Sequence, residues 1–519
     1  MSTAEVRKRI LWVDDEIDSL KPHILFLENK GFEVVKAMSG DDGIMAVKRE
    51  LFDLVLLDEV MPGKDGLTTL EEIKEIRPYL PVVMVTKSEE ESLMEDAIGQ
   101  KIDDYLVKPV IPSQVLMVIK RLLESRKIIE SSSMRRYITE INKFNQRLYG
   151  TTNSEDWHEA ARIIASWNLE LDGSSDTGLQ QTHEGTRKEW NVEFTKHIES
   201  NYQEWLFGDD RPVLSTDITA RYVIPELKKK ERVLYVIVDC MRLDQWMLVE
   251  PLVAEFYNIE RHYYFSLLPS ATPFARNALF AGLFPDEIHR VYPDNYRASE
   301  EGSLNRKEAE LLQDNLARNG LRLDRQAKYV KVYSNTEGEE LVKHVADFFD
   351  FPLVTFVFNF LDILAHGRSN NVILKEIAGT EAAFRSLMKS WFVHSPLFTI
   401  LKAFASRGFT VIITSDHGSV LCRRGTVAHG RRATSTNLRY KYGDNLNSDP
   451  KDSVLIKKPA EWRLPSFTLA TTYIIAKEDF YFVYPNNYNE MVRQFQNSFQ
   501  HGGISLEEMV VPVAVLKPR

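Results

Sequence analysis

Seven residues in the C-terminal half are of types that bind metal or attack phosphorus: Asp239, Thr272, Asp362, His366, Asp416, His417 and His501. Mixed oxygen and imidazole donors suit zinc or manganese. Asp416, His417 and Gly418 follow TVIIT (410–414), an apolar β-branched run that reads as a buried strand. Ligands of open α/β sheets bind at the carboxyl ends of such strands. Asp239 follows the run VLYVIV (233–238) in the same way, although a carboxylate there also suits a helix cap. Asp362 and His366 are spaced i, i+4 and share one helix face. His501 opens an HGG loop before the last strand, and Thr272 precedes Pro273, which sets a helix start. A hydroxyl at a helix N-terminus lies among N–H groups that favour phosphate. Seven donors suffice for two ions with Thr272 facing both. Two ions about 4 Å apart clamp the attacking and leaving oxygens of an in-line phosphoryl displacement. One ion would also lower the pKa of the threonine hydroxyl, which is otherwise a poor nucleophile near neutral pH.

A second set lies near the N-terminus. Asp14, Asp15 and Asp58 close two apolar strands, RILWVD and LFDLVLLD. Three carboxylates crowded together are tolerable only around a hard cation such as magnesium. Thr86 and Lys108 end two further strands and suit an acyl phosphate on Asp58. Helices are expected over 19–30, 40–49, 67–77, 88–99 and 112–127. Five βα units of this length imply a parallel sheet with right-handed crossovers.

These residues resemble the receiver domain of two-component response regulators over 8–124. The resemblance implies a flavodoxin-like fold in which Asp58 accepts phosphate from a histidine kinase. By it, Asp14, Asp15 and the Val60 carbonyl hold magnesium, while Thr86 and Tyr105 switch. Glu59 stands beside the acceptor, where it can tune magnesium affinity or phosphate lifetime.

Composition bounds the rest. The 519 residues imply about two to four domains. At 44% hydrophobic and 27% charged, the chain is an ordinary globular one. No run of about 18 apolar residues is present, and the N-terminus enters a strand at Ile10 without a signal-peptide core. A cytoplasmic location is the default expectation. Two cysteines, Cys240 and Cys422, exclude a disulfide framework, and the net charge of −10 argues against broad nucleic-acid coating. The expected domains are a receiver at 1–124, a helical connector at 125–225 and a metal-site domain at 226–519. The connector carries helical spacings over 128–148, 154–169 and 186–206, with a polar loop at 171–185. His158, His183 and His197 show no ligand spacing and read as structural.

The C-terminal residues resemble the alkaline phosphatase superfamily, and within it the PglZ domain, over roughly 230–515. The resemblance implies an α/β fold with two zinc ions. Asp362, His366 and His501 would hold one, Asp239, Asp416 and His417 the other, with Thr272 as nucleophile. Sulfatases of the superfamily need cysteine at that position, so threonine disfavours their chemistry. TPFARN followed by AGLFPDEIH is closer to the nucleotide phosphodiesterase branch, which makes Asn277 a candidate contact to a non-bridging oxygen. Arg423, Arg424, Arg431, Arg432, Arg439 and Lys441 form a basic loop that either grips phosphate or is a solvated surface. Arg431, Arg432 and Arg439 are the substrate-binding candidates, and Tyr440 and Tyr442 could stack on bases.

A receiver followed by a PglZ domain resembles the PorX-type response regulators of type IX protein secretion. That implies a phosphorylation-controlled phosphodiesterase acting on a nucleotide-type substrate, with a sigma factor or secretion-machinery component downstream. The alternative is a non-catalytic, zinc-containing docking module for the same partners. Opposite charges on one receiver face suggest a homodimer on phosphorylation. Glu89, Glu90, Glu91, Glu95, Asp96, Asp103 and Asp104 would meet Lys120, Arg121, Arg126 and Lys127 of a second copy. Pairing within one chain explains the same charges.

Overall fold

The computed structural model describes residues 8–78, 80–87, 102–148, 152–174, 176–293, 305–370, 376–430 and 437–519. They form two compact units, Met1–Lys143 and Phe144–Arg519. In the first, five strands, β1 (Arg9–Val13), β2 (Glu33–Ala37), β3 (Leu54–Asp58), β4 (Val82–Thr86) and β5 (Asp104–Val107), lie parallel in the order β2-β1-β3-β4-β5. Burial of β1, β3 and β4 on both faces explains their unbroken apolar runs. Ser39 and Asp65 cap two of the helices by accepting the Asp42 and Thr68 N–H groups. The helix expected over 88–99, with Glu89, Glu90, Glu91, Glu95 and Asp96, lies outside the described residues.

Two helical boundaries differ from expectation. The helix expected to end at 127 runs unbroken from Pro112 to Leu148, because no glycine or further proline interrupts it. The polar stretch 171–185 is not a loop throughout. Asp176 accepts the Leu179 N–H at 2.9 Å and starts the helix Thr177–Phe207. Gly178 and Gly185 each cost that helix about 1 kcal/mol, which burial of Leu179 and His183 on its inner side offsets. His183 bonds Asn168 of the helix Ser154–Leu171 at 2.9 Å, in keeping with a structural histidine.

The second unit is organised by a six-stranded sheet. Its strands are β6 (Val233–Val238), β7 (Tyr257–Phe265), β8 (Lys328–Val332), β9 (Leu353–Phe358), β10 (Thr410–Thr414) and the C-terminal Val510–Pro518. The order is β7, C-terminal strand, β10, β6, β9, β8. β10, β6, β9 and β8 run parallel, so their carboxyl ends share one edge. Thr414 is opposite Ile237, and Val238 is opposite Phe358. That register carries Asp416 beside Asp239, and the Asp239 N–H donates to the Phe358 carbonyl at 2.9 Å. The helices Ser154–Leu171 and Thr177–Phe207 belong to this unit. They pack Trp157 on Phe194, and Phe194 and Trp205 on Phe265 of β7.

The loop that holds His501 is fixed by a buried ion pair. Arg439 Nη2 and Nε reach the Glu508 carboxylate at 2.6 and 3.0 Å, and both side chains are 0% exposed. Glu508 also accepts the Gly503 N–H at 2.8 Å. Removing one partner of such a pair strands a buried charge. Glu508→Ala should therefore destabilise the chain by about 3–5 kcal/mol in urea unfolding.

Candidate metal centres

The receiver centre assembles from β1, β3 and the end of β5. One oxygen from each of Asp14, Asp15 and Asp58 lies within 4.8 Å of the others. Lys108 Nζ stands 3.0 Å from Asp14 and 2.9 Å from Asp58. Burial raises the Asp58 pKa against the pull of Lys108. Burial alone would depress Lys108, but its bonds to Asp58 and Asp14 outweigh that and hold it above its usual value. The three oxygens fit a hard divalent cation. Thr86 is buried beside this group at the end of β4, whereas Tyr105 is 40% exposed. The Val60 side chain points to solvent, in the loop directly after Asp58.

In the second unit the seven donors converge as two adjoining groups. Asp239, Asp416 and His417 form one and Asp362, His366 and His501 the other, each with its ligand atoms within 4.8 Å. Asp239 and Asp416 come from the ends of β6 and β10, and Asp362 and His366 from the helix Phe360–Asn370 after β9. The rings of His417 and His501 stack at 4.2 Å, so the two groups share a wall. Thr272 lies at the first position of the helix Thr272–Ala281. Its Oγ1 is 3.0 Å from His417 Nε2 and 3.4 Å from Asp239 Oδ1.

Several features fit a cation in each group. His366 Nε2 and His501 Nε2 face each other at 2.9 Å, a spacing that requires a proton or a cation between two ring nitrogens. Asp362 Oδ1 and Asp416 Oδ2 are buried without a hydrogen-bond partner among the described residues. Asp239 is pushed up to about 7 by burial, with Arg276 opposing and the Asp416 and Asp362 charges adding. Burial likewise raises Asp416. His417 Nδ1 donates to the Gly418 carbonyl at 3.0 Å, which leaves Nε2 as the free lone pair toward Thr272. Cys240, at φ 66°, holds a left-handed backbone that few side chains adopt. Its N–H meets Asp416 Oδ1 at 3.4 Å. Strain of this kind clusters at functional sites.

Two substrate-contact candidates require correction, and two lie outside the described residues. Arg439 does not face the site, since Glu508 and the Lys477 and Glu478 carbonyls saturate its guanidinium. Asn277 is buried and turned back on its own helix, donating to the Pro273 carbonyl at 2.7 Å and accepting from Asn305 at 3.1 Å. Arg431 and Arg432 lie outside the described residues. The rest of the basic loop is committed within the fold. Arg423 pairs with Glu184, Arg424 with Glu478 and Asp479, and buried Lys441 donates to the Asn437 carbonyl. Tyr440 is buried edge-on against Phe274 and offers no face to a base.

Sequence reasoning missed Arg276. Its Nη1 lies 2.6 Å from Asp239 and 3.7 Å from Asp416, and its Nε reaches Glu308 at 2.7 Å. It stands one helical turn after Thr272, so the i, i+4 spacing that marked Asp362 and His366 would have found it.

Three families match the chain in tandem. Residues 10–120 match the response regulator receiver domain, 127–206 the PorX response regulator linker domain, and 218–516 the BREX system PglZ alkaline phosphatase-like domain. Among curated proteins, the transcriptional regulatory protein ResD of Bacillus subtilis is 35% identical over 115 residues, covering 22% of this chain and 48% of that protein. The alkaline phosphatase synthesis transcriptional regulatory protein PhoP of Bacillus subtilis is 30% identical over 130 residues, covering 25% and 53%. The chain spans about half the length of these relatives. Among solved structures, a CheY-like receiver domain protein from Methanospirillum hungatei is 32% identical, covering 23% of this chain and 96% of that one, with a TM-score of 0.23. A receiver domain implies a histidine kinase as partner. The chain belongs to the PglZ alkaline phosphatase-like family, in the receiver–linker–PglZ arrangement of PorX-type response regulators.

Proposed function

We propose that the second unit is a zinc-dependent phosphodiesterase for nucleotide-type substrates and that phosphorylation of Asp58 controls it. The proposed domains are 1–124, 125–225 and 226–519. One observation carries the reading: Thr272 Oγ1 lies beside two adjoining three-residue ligand groups, at the N-terminus of a ten-residue helix. Asp362, His366 and His501 would hold one zinc and Asp239, Asp416 and His417 the other, while Asp14, Asp15 and the Val60 carbonyl would hold magnesium. Bound there, zinc supplies Lewis-acid charge that favours the threonine alkoxide and neutralises phosphoryl oxygens.

The chain's own residues do the rest. The first turn of the Thr272 helix presents N–H groups toward a phosphoryl group at the hydroxyl. Thr272 Oγ1 gives up its proton and attacks phosphorus in line, and the ester oxygen opposite leaves as the alcohol. The threonyl phosphodiester so formed keeps the second ester, and water then cleaves it to the phosphomonoester and free threonine. Arg276 holds Asp239 in place from the next turn. The PorX-type linker supports a place in the control of type IX secretion, through a sigma factor or a secretion component. Among the described residues no helix is long and apolar enough to cross a membrane.

Release of p-nitrophenol from bis-p-nitrophenyl phosphate tests the reading. Wild type should cleave the diester faster than p-nitrophenyl phosphate. Thr272→Ala should lose at least about 100-fold in rate while binding the same zinc. Retained activity in Thr272→Ala would overturn the nucleophile assignment, and a zinc-loaded wild type that cleaves neither ester would leave the docking role as the reading.

Phosphate on Asp58 is further proposed to drive dimerisation through the β5 face. Arg121 pairs with Asp104 within the chain, and Lys74 holds Asp103 at 2.7 Å. Exposed pairs are worth about 0–1 kcal/mol each, so phosphorylation can redistribute them. Sedimentation with magnesium and beryllofluoride should show a doubled mass for wild type and a monomer for Asp58→Ala.

A further inference from the structure

The linker helices reach the loops that carry Asp239 and His417 through polar contacts buried inside the second unit. Asn191, on the helix Thr177–Phe207, is the centre of one contact. Its Oδ1 accepts the Leu506 N–H at 2.8 Å, and its Nδ2 donates to Glu507 Oε2 at 3.1 Å. The turn so clamped backs directly onto the metal loop. A Cβ built at Gly418 would stand 1.9 Å from the Glu507 carbonyl oxygen, so only glycine lets the two backbones meet. The Gly418 N–H donates to the Glu508 carbonyl at 3.0 Å. Gly418 follows His417 and accepts the bond that sets its tautomer.

Arg187, one turn before Asn191, reaches the Asp239 loop. It donates to Glu381 at 2.6 Å, and the other Glu381 oxygen accepts from Arg242 at 2.7 Å. Arg242 lies three residues after Asp239, beyond the left-handed Cys240. A buried ion network is a weak source of stability, because desolvation offsets most of its attraction. What it supplies here is fixed placement of two loops that must meet. The Asp362–His366 pair has a separate support in the helix Phe360–Asn370, whereas His501 shares the clamped turn Leu506–Met509 through Glu508.

We propose that Asn191 and Arg187 of the linker are positioning residues for the Asp239–Asp416–His417 centre and not for the Asp362–His366 pair. The PglZ-type site is then completed by a segment outside the matched residues 218–516. The link to metal rests on the two-zinc reading, but the clamp itself does not.

Hydrogen exchange on the metal-free full chain reads the clamp. Asn191→Leu keeps the side-chain bulk and removes both bonds. It should speed exchange about tenfold or more in peptides covering 239–245 and 414–420 and leave 360–367 at the wild-type rate. Asn191→Asp combined with Glu507→Gln exchanges donor and acceptor at constant charge, and should restore protection. Zinc competition with a chromophoric chelator reads the consequence. One of two equivalents should weaken about 10–100-fold in Asn191→Leu, the same one that His417→Ala loses. Exchange that is unchanged, or raised equally in all three peptides without rescue, overturns the proposal. A wild type that binds no zinc overturns the metal reading, and exchange still decides the clamp.

Discussion

Burying carboxylates beside one another is the constraint on which this molecule's second unit depends. Asp239 and Asp416 are fully enclosed, and Asp362 lies close enough for its charge to raise the Asp239 pKa further. Carboxylates cannot all stay ionised in such a place without positive charge among them. Arg276 supplies one charge between Asp239 and Glu308. The remaining demand falls on the space between the groups, where two imidazole nitrogens face each other and two carboxylate oxygens accept no hydrogen bond among the described residues. The helix that begins at Thr272 brings both its hydroxyl and Arg276 to that space, so nucleophile and counter-charge are placed by one element.

The receiver meets the same constraint on a smaller scale. Asp14, Asp15 and Asp58 crowd together, and Lys108 bridges two of them. In the second unit the carboxylates share their site with histidines, which suits a resident metal.

The carboxyl ends of the strands were legible because the signal is local. An apolar β-branched run followed at once by Asp or Asp-His leaves few alternatives once several such runs occur in one chain. TVIIT before Asp416 and VLYVIV before Asp239 both turned out to be buried strands of one sheet, and LFDLVLLD ends in a buried strand at Asp58. Residues whose role depends on distant partners were not legible. Arg439 has the same composition signal as a phosphate-binding arginine, and only its burial against Glu508, 69 residues on, removes it from the site. The stretch 171–185 carries glycines and polar residues that locally favour a loop, yet tertiary burial of Leu179 and His183 extends the helix through part of it. Arg187 and Asn191 carry no local signal, since Glu381 lies 194 and Glu507 316 positions away in sequence.

The most direct test of the paired centres is X-ray diffraction from crystals of the full chain grown without chelator, recorded on both sides of the zinc absorption edge. Two anomalous peaks should appear about 4 Å apart, one among Asp362, His366 and His501 and the other among Asp239, Asp416 and His417, with Thr272 Oγ1 facing both. A well-ordered site with no anomalous density, or with zinc bound by other residues, would contradict this assignment.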